Sequence, residues 1–435
     1  MKLVRYFLSS AILVFSLNSQ STVICFNDDL IFKNTFETWI LNNDGEVAVV
    51  ITDDSGNDVL VNVESVDEVT VSGIDYISVT ASGVPNYCVE ADQDLIDALN
   101  SRPRAGTDFL SGQTTMNVGD IVEFGDDIGY DSNTNQCNIS GGLGYWPPGP
   151  DCPEDTAKIG LFPVEPEPST EVEGCEIGLG VLGYFVNGVS VFHWGDGQSY
   201  VGGGPGSTAL WYNLAAKAEV YDLDVCDGHA ANGEYHHHFY SQCLADTVGD
   251  QANGHSPIYG FAADGYPIHG PWHDAGVLSK SPWVARDYDD ASDPYGCGGT
   301  GERTCLMVDE FDPTLGTTAA SSNGPDTDDT VVSMSGNTLS TETGFYYEDY
   351  YYDSSLTASG DDYLDQHGGH DHDGYGYHYH LPTEFNDQGE VVTSFPSTIG
   401  PTFYGELTDD AITSCSGNGG GGPPGGGGGG GPTPN

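Results

Sequence analysis

Two short stretches of the chain have the residue types and the spacing to do chemistry. Tyr235-His236-His237-His238 and Tyr377-His378-Tyr379-His380 each hold two imidazoles two positions apart. On an extended backbone such residues face the same way. His236 and His238 therefore share a face, and so do His378 and His380. Neutral imidazole ligates Zn, Cu, Fe and Ni. If the two strands lie near each other, four imidazoles converge, with Tyr235 and Tyr377 behind them. Imidazole-rich, thiolate-free ligation suits Cu or Zn and does not choose between them. His229 and His370, on the turns entering each motif, and His255, in His-Ser-Pro-Ile-Tyr-Gly, join the candidate ligands. His269 and His273 read as turn or rim residues, and His193 as a packed strand residue. An open coordination position would permit hydrolytic or redox chemistry, with Tyr235 or Tyr377 as a nearby proton or electron partner.

The competing reading is free of metal. Tyr and His on strands also build structural hydrogen-bond networks. The protein is then a surface or matrix component whose aromatic loops meet glycans or extracellular protein partners. Phe345, Tyr346, Tyr347, Tyr350, Tyr351 and Tyr352 are the candidate platform, although so aromatic a run more often forms a core strand. The carboxylates Asp361, Asp362, Asp365, Asp371 and Asp373 add a hard-ion alternative, a structural Ca²⁺, without the full spacing of a calcium loop. Nucleophile-elbow, zincin, Walker and Rossmann signatures are absent. Whether a reaction is catalysed stays open.

The two histidine stretches are related. Gly228-His229, a three-residue spacer, Gly233 and Tyr235-His-x-His238 match Gly369-His370, a three-residue spacer, Gly374 and Tyr377-His-x-His380 in order. They read as duplicated units or as two uses of one local solution.

The elements that must position these residues are strands. Val47, Val49 and Ile51, then Val59, Val61 and Val63, then Val69 and Val71, then Ile77 and Val79 recur with a period of two, broken by turn residues. Asp92 to Leu99 suggests a short helix, and Ser207 to Ala218 another with Ser207 as N-cap. Asp264-Gly265-Tyr266-Pro267 is an aromatic-anchored turn. The expected fold is mainly β with few short helices: a single compact body with long loops, stapled by disulfides.

The chain has 435 residues and ten cysteines, an even number that suits disulfides in an exported protein. Local pairings Cys137–Cys152, Cys226–Cys243 and Cys297–Cys305 are plausible. Lys2 and Arg5 ahead of the apolar run Tyr6 to Leu17 read as a signal peptide ending near Ser21; lipidation of Cys25 is the less favoured alternative. No later segment has the length and apolarity of a membrane span. The chain is therefore expected to be secreted or otherwise extracytoplasmic. Its formal charge of −56 repels nucleic acid and anionic lipid.

Taken together, these pieces resemble the YHYH-domain family, named for the tetrapeptide that stands here at Tyr377 to His380. The resemblance rests on Leu143-Gly-Tyr-Trp-Pro-Pro-Gly-Pro150, Gly228-His229 with Tyr235 to His238, and His255-Ser-Pro-Ile-Tyr-Gly260. Ala263-Asp-Gly-Tyr-Pro-Ile268, Gly344 to Tyr352 and Tyr404-Gly405 extend it, so that it spans about residues 80 to 410. It implies an exported protein without an assigned activity; His269 departs from the Tyr expected there. The expected organisation is a signal peptide (1–21), an N-terminal β region packed on the main body (22–85), the YHYH domain (86–415) and a disordered Gly/Pro tail (416–435).

Overall fold

A computed structural model describes residues 38–42, 50–52, 58–102, 105–131, 152–170, 175–201, 210–333 and 336–415. The expected signal segment, the Gly/Pro tail, Val47, Val49, Cys137 and residues 143–150 lie outside them.

The valine alternation forms strands. Strand β1 (Val63–Val71) and strand β2 (Ile74–Ala81) make a hairpin, and α1 (Gln93–Ser101) follows, with the Asp92 side chain capping the Leu95 N–H. Strand β3 (Lys158–Pro163) pairs with β2 to complete a three-stranded sheet. The inner face of that sheet buries Val63, Ile77, Val79 and Phe162 against Trp39, Tyr184 and Phe261.

The centre of the molecule is an eight-stranded sheet. Its strands are β4 (Val181–Phe185), β5 (Ser190–Phe192), β6 (His229–Ala231), β7 (Glu234–His237), β8 (Ile258–Ala262), β9 (Pro267–His269), β10 (Gly369–Asp371) and β11 (Tyr377–His380). The order across it is β6-β7-β5-β4-β8-β9-β11-β10. The order reads as one four-strand unit followed by its reverse. The two units meet at the antiparallel β4–β8 pair, and in each a histidine hairpin runs parallel to the second strand of the inner hairpin.

The likeness extends to single atoms. Gly183 to Phe192 matches Gly260 to His269, including the turns at Asn187-Gly188 and Asp264-Gly265. The Val186 N–H donates to the Tyr259 carbonyl at 2.8 Å, and the Ala263 N–H to the Leu182 carbonyl at 2.8 Å. Both junction positions are glycine for one reason. A Cβ on Gly183 would stand 2.2 Å from the Phe261 oxygen, and one on Gly260 2.4 Å from the Tyr184 oxygen.

The remaining chain forms short paired strands and loops. Cys175–Cys415, Cys226–Cys243 and Cys297–Cys305 staple it, Cys88 and Cys152 are also oxidised, and no described cysteine is free. The two local pairings that can be seen are as expected. The expected helix from Ser207 is corrected over its described part: Leu210–Leu214 is a strand, and only Ala215–Ala218 makes one helical turn, α2. Tertiary contacts outweigh helix propensity there. The strand pairs with Gly195–Val201, and the Glu348 carboxyl accepts the Trp211 and Tyr212 N–H groups at 2.8 Å each.

The aromatic run is core. Phe345 and Tyr346 pack around Trp211, and Tyr352 packs with Trp283 and Phe395. Among the described residues no helix is long and apolar enough to cross a membrane.

Candidate metal centres

Each histidine hairpin is set by the same device. The Asp224 carboxylate accepts the N–H groups of Cys226 and Gly228 with one oxygen and the Tyr235 hydroxyl, at 2.7 Å, with the other. In the second unit Asp365 accepts the N–H groups of His367 and Gly369 and, at 3.0 Å, the Tyr377 hydroxyl. The hydroxyl end of the tyrosine lies against the glycine. A Cβ on Gly228 would stand 2.3 Å from the Tyr235 oxygen, and one on Gly369 2.5 Å from that of Tyr377. That accounts for Gly-His and Tyr-His recurring together.

In the first unit His229, His236 and His238 converge, all buried. The Nε2 atoms of His229 and His236 are 3.0 Å apart, as are those of His236 and His238. Glu219, which follows α2, places Oε2 3.1 Å from His229 Nε2 and 3.0 Å from His238 Nε2. His236 Nδ1 donates to the Glu234 carbonyl at 2.8 Å and His238 Nδ1 to the His193 carbonyl at 2.6 Å. A carbonyl only accepts, so both rings carry their proton on Nδ1. In their neutral forms the two rings thereby aim bare Nε2 lone pairs at each other, although at His238 burial is outweighed by Glu219, which raises the ring and so favours a proton there. Such a contact between neutral rings is repulsive unless a cation stands between them.

Electrostatics agree with that need. Burial, with His229 and His238 adding to it, holds His236 well below the usual imidazole range. Burial opposes ionisation of Glu219, but His238 and His229 outweigh it and keep the carboxyl well below its ordinary value. Phe192 stacks on His236 at 3.7 Å and closes that side.

The second unit repeats the arrangement and enlarges it. His378 Nδ1 donates to the Gly376 carbonyl at 2.7 Å and His380 Nδ1 to the Gly270 carbonyl at 2.6 Å. Their Nε2 atoms face each other at 3.1 Å, and His255 Nε2 is 3.2 Å from that of His378. His372 completes a group of four, and His370, His269 and His273 lie in contact with it. Burial first, then neighbouring imidazoles, lowers His370 to about 3 and His255 to about 4; burial alone dominates in lowering His378 to about 4. Tyr375, well exposed, stacks on His255 at 4.4 Å, so this cluster reaches the surface.

The expectation of one four-histidine site is therefore corrected. His236 and His238 share a cluster with His229, while His378 and His380 share another with His255 and, at its flank, His370. Five strand steps separate β7 from β11, about 24 Å at ~4.8 Å per step. Each hairpin pairs with its own unit's inner hairpin, so the two cannot meet. His269 and His273 belong to the second cluster and are not mere rim residues. His193 is buried and contributes its carbonyl.

Glu219 carried no sequence signal. His372 stood in plain view, two residues after His370 on the same hairpin. Leu223-Asp224 and Leu364-Asp365, each four residues before the Gly-His pair's glycine, would have lengthened the repeat. Among the described residues, groups of three or more converging donors are built on histidine. The acids near the second motif have other uses. Asp365 holds the turn, Asp362 pairs with Lys280 at 2.7 Å, and Asp361 and Asp373 are exposed.

Residues 161–292 match the family model described as YHYH protein. The match takes in Tyr235 to His238 and ends before Tyr377 to His380, so it is narrower than the resemblance drawn over residues 80 to 410. No curated protein and no solved structure matches the chain.

Proposed function

With residues 161–292 carrying a YHYH domain, we propose that the protein is a secreted binder of transition metal, Cu or Zn, at two separate histidine centres. The first is held by His229, His236, His238 and Glu219; the second by His255, His378 and His380 with His372. One observation carries this reading: four imidazoles are locked by backbone carbonyls at Nδ1 so that, in the neutral rings, their Nε2 lone pairs face one another in pairs at 3.0–3.1 Å. A metal-free network would place a proton donor opposite each of those lone pairs. Three imidazoles and a carboxylate supply four N and O donors, the number that a tetrahedral Zn²⁺ takes. The disulfides and the acidic composition support release into an oxidising compartment.

The test is elemental analysis of untagged protein purified without chelators, beside His236→Ala/His238→Ala and His378→Ala/His380→Ala. The expected result is stoichiometric Cu or Zn, with each variant losing the metal of its own centre only. Metal-free protein even after reconstitution would refute the reading.

A further inference from the structure

We infer that the second centre holds two metal ions where the first holds one. This rests on the metal-binding reading and deepens it.

The duplicated fold supplies an internal ruler. In the first unit the donor chain runs His229–His236–His238 through Nε2 contacts of 3.0 Å, and Glu219 closes it. No other imidazole there faces the cluster with a free pair of nitrogens. His237 is held at both, by the Tyr87 hydroxyl and the Asp227 carbonyl.

In the second unit the chain runs instead His255–His378–His380, at 3.2 and 3.1 Å. His255 has taken the place that the hairpin's own histidine, here His370, would occupy by equivalence with His229. His370 is thereby released. No ring nitrogen of His370 or His372 makes a hydrogen bond of ordinary geometry; the Tyr363 backbone and the Asp373 carboxylate, 3.6 Å from His372, are only weak company. The His372 side chain is only 7% exposed and the His273 side chain 11%. His273, His370 and His372 bring their donor atoms within 4.8 Å of one another and form a second ligand group.

Four of the seven imidazoles have no counterpart in the first unit. His255, His269, His273 and His372 align with Gly178, Phe192, Asp196 and Ala231. Seven exceed what one ion of the Cu or Zn class takes from a protein. The two groups share His372 and omit His269; with His372 given to one ion only, His255, His378 and His380 remain for one ion and His273, His370 and His372 for the other. Rings of the two groups touch, His370 to His378 and His372 to His378 both at 5.1 Å, so the ions are neighbours within one pocket. Asp361 and Asp373, 3.9 Å from His273 and 3.6 Å from His372, bring compensating negative charge to the rim.

The experiment is reconstitution of the chelator-stripped full chain with Zn²⁺ alone, followed by desalting and elemental analysis. Far-ultraviolet circular dichroism confirms that each variant is folded, and His273→Gln/His370→Gln replaces the alanine pair if that pair is not. Three Zn²⁺ per chain are expected, with two in His273→Ala/His370→Ala, two in His236→Ala/His238→Ala and one in the combination. Two Zn²⁺ in the wild type, unchanged by His273→Ala/His370→Ala, would overturn the second ion and leave the metal-binding reading standing. So would a wild type with two Zn²⁺ whose His273→Ala/His370→Ala variant retains one. Wild-type protein with no Zn²⁺ at all would overturn both.

Discussion

A backbone carbonyl has no proton to give, and that fact sets the tautomers of His236, His238, His378 and His380. The rings are aimed by the same contacts, because each carbonyl belongs to a strand or turn of the sheet itself. Behind them, Tyr235 and Tyr377 hold the approach to each hairpin through Asp224 and Asp365. Removing one hydroxyl leaves a buried carboxylate short of a donor, a loss of about 1–3 kcal/mol. Tyr235→Phe is therefore expected to lower the unfolding free energy measured by urea titration by that amount, with a correspondingly lower midpoint. Tyr377→Phe is expected to do the same by the equivalence of the two units. A midpoint unchanged in both would mean that the aspartates are held by their backbone donors alone.

Among the elements, the segment Leu210–Leu214 departs furthest from its sequence. Its strand state depends on Glu348, whose carboxyl takes two peptide N–H groups from a buried position. Burial raises that carboxyl from 4.5 to about 7. The folded state thus keeps a proton that the unfolded chain releases between those values. The stabilising contribution is complete below pH 4.5 and lost as pH rises through 7, about 3 kcal/mol at ~1.4 kcal/mol per unit. Glu348→Gln carries no such charge. Its thermal midpoint relative to wild type is expected to rise between pH 4.5 and pH 8; a difference flat with pH would count against the buried charge. Local pattern could not reveal this, since Glu348 lies 137 residues from Trp211. The valine alternation before Ala81, the Asp92 cap and the two short disulfides were legible because each depends on near neighbours. That each histidine motif turns two imidazoles to one face was legible for the same reason. The separation of the two motifs was not, because strand order is decided by which hairpin pairs with which, and Glu219 enters its cluster only through the path of the chain after Leu214.

At the scale of the whole molecule, the sheet ends at both sides in a three-residue strand, β6 or β10, that belongs to a histidine hairpin. A sheet's outermost strands are where unpaired peptide groups recruit other chains, and short ones limit that hazard. Here the histidine clusters proposed to hold metal sit just where the sheet would otherwise continue. If the proposed ions hold these borders, stripping them loosens both at once, while the net charge of −56 opposes association as long as it is not screened. Chelator-treated protein should stay monomeric in dilute buffer and self-associate near 1 M salt, as light scattering would register, whereas metal-loaded protein should stay monomeric in both. Identical behaviour of the two forms would show that the borders hold without metal. On the proposed reading the ions would do what charge does only while it is unscreened: put a clasp at each end of the sheet, where another chain would otherwise add its strand.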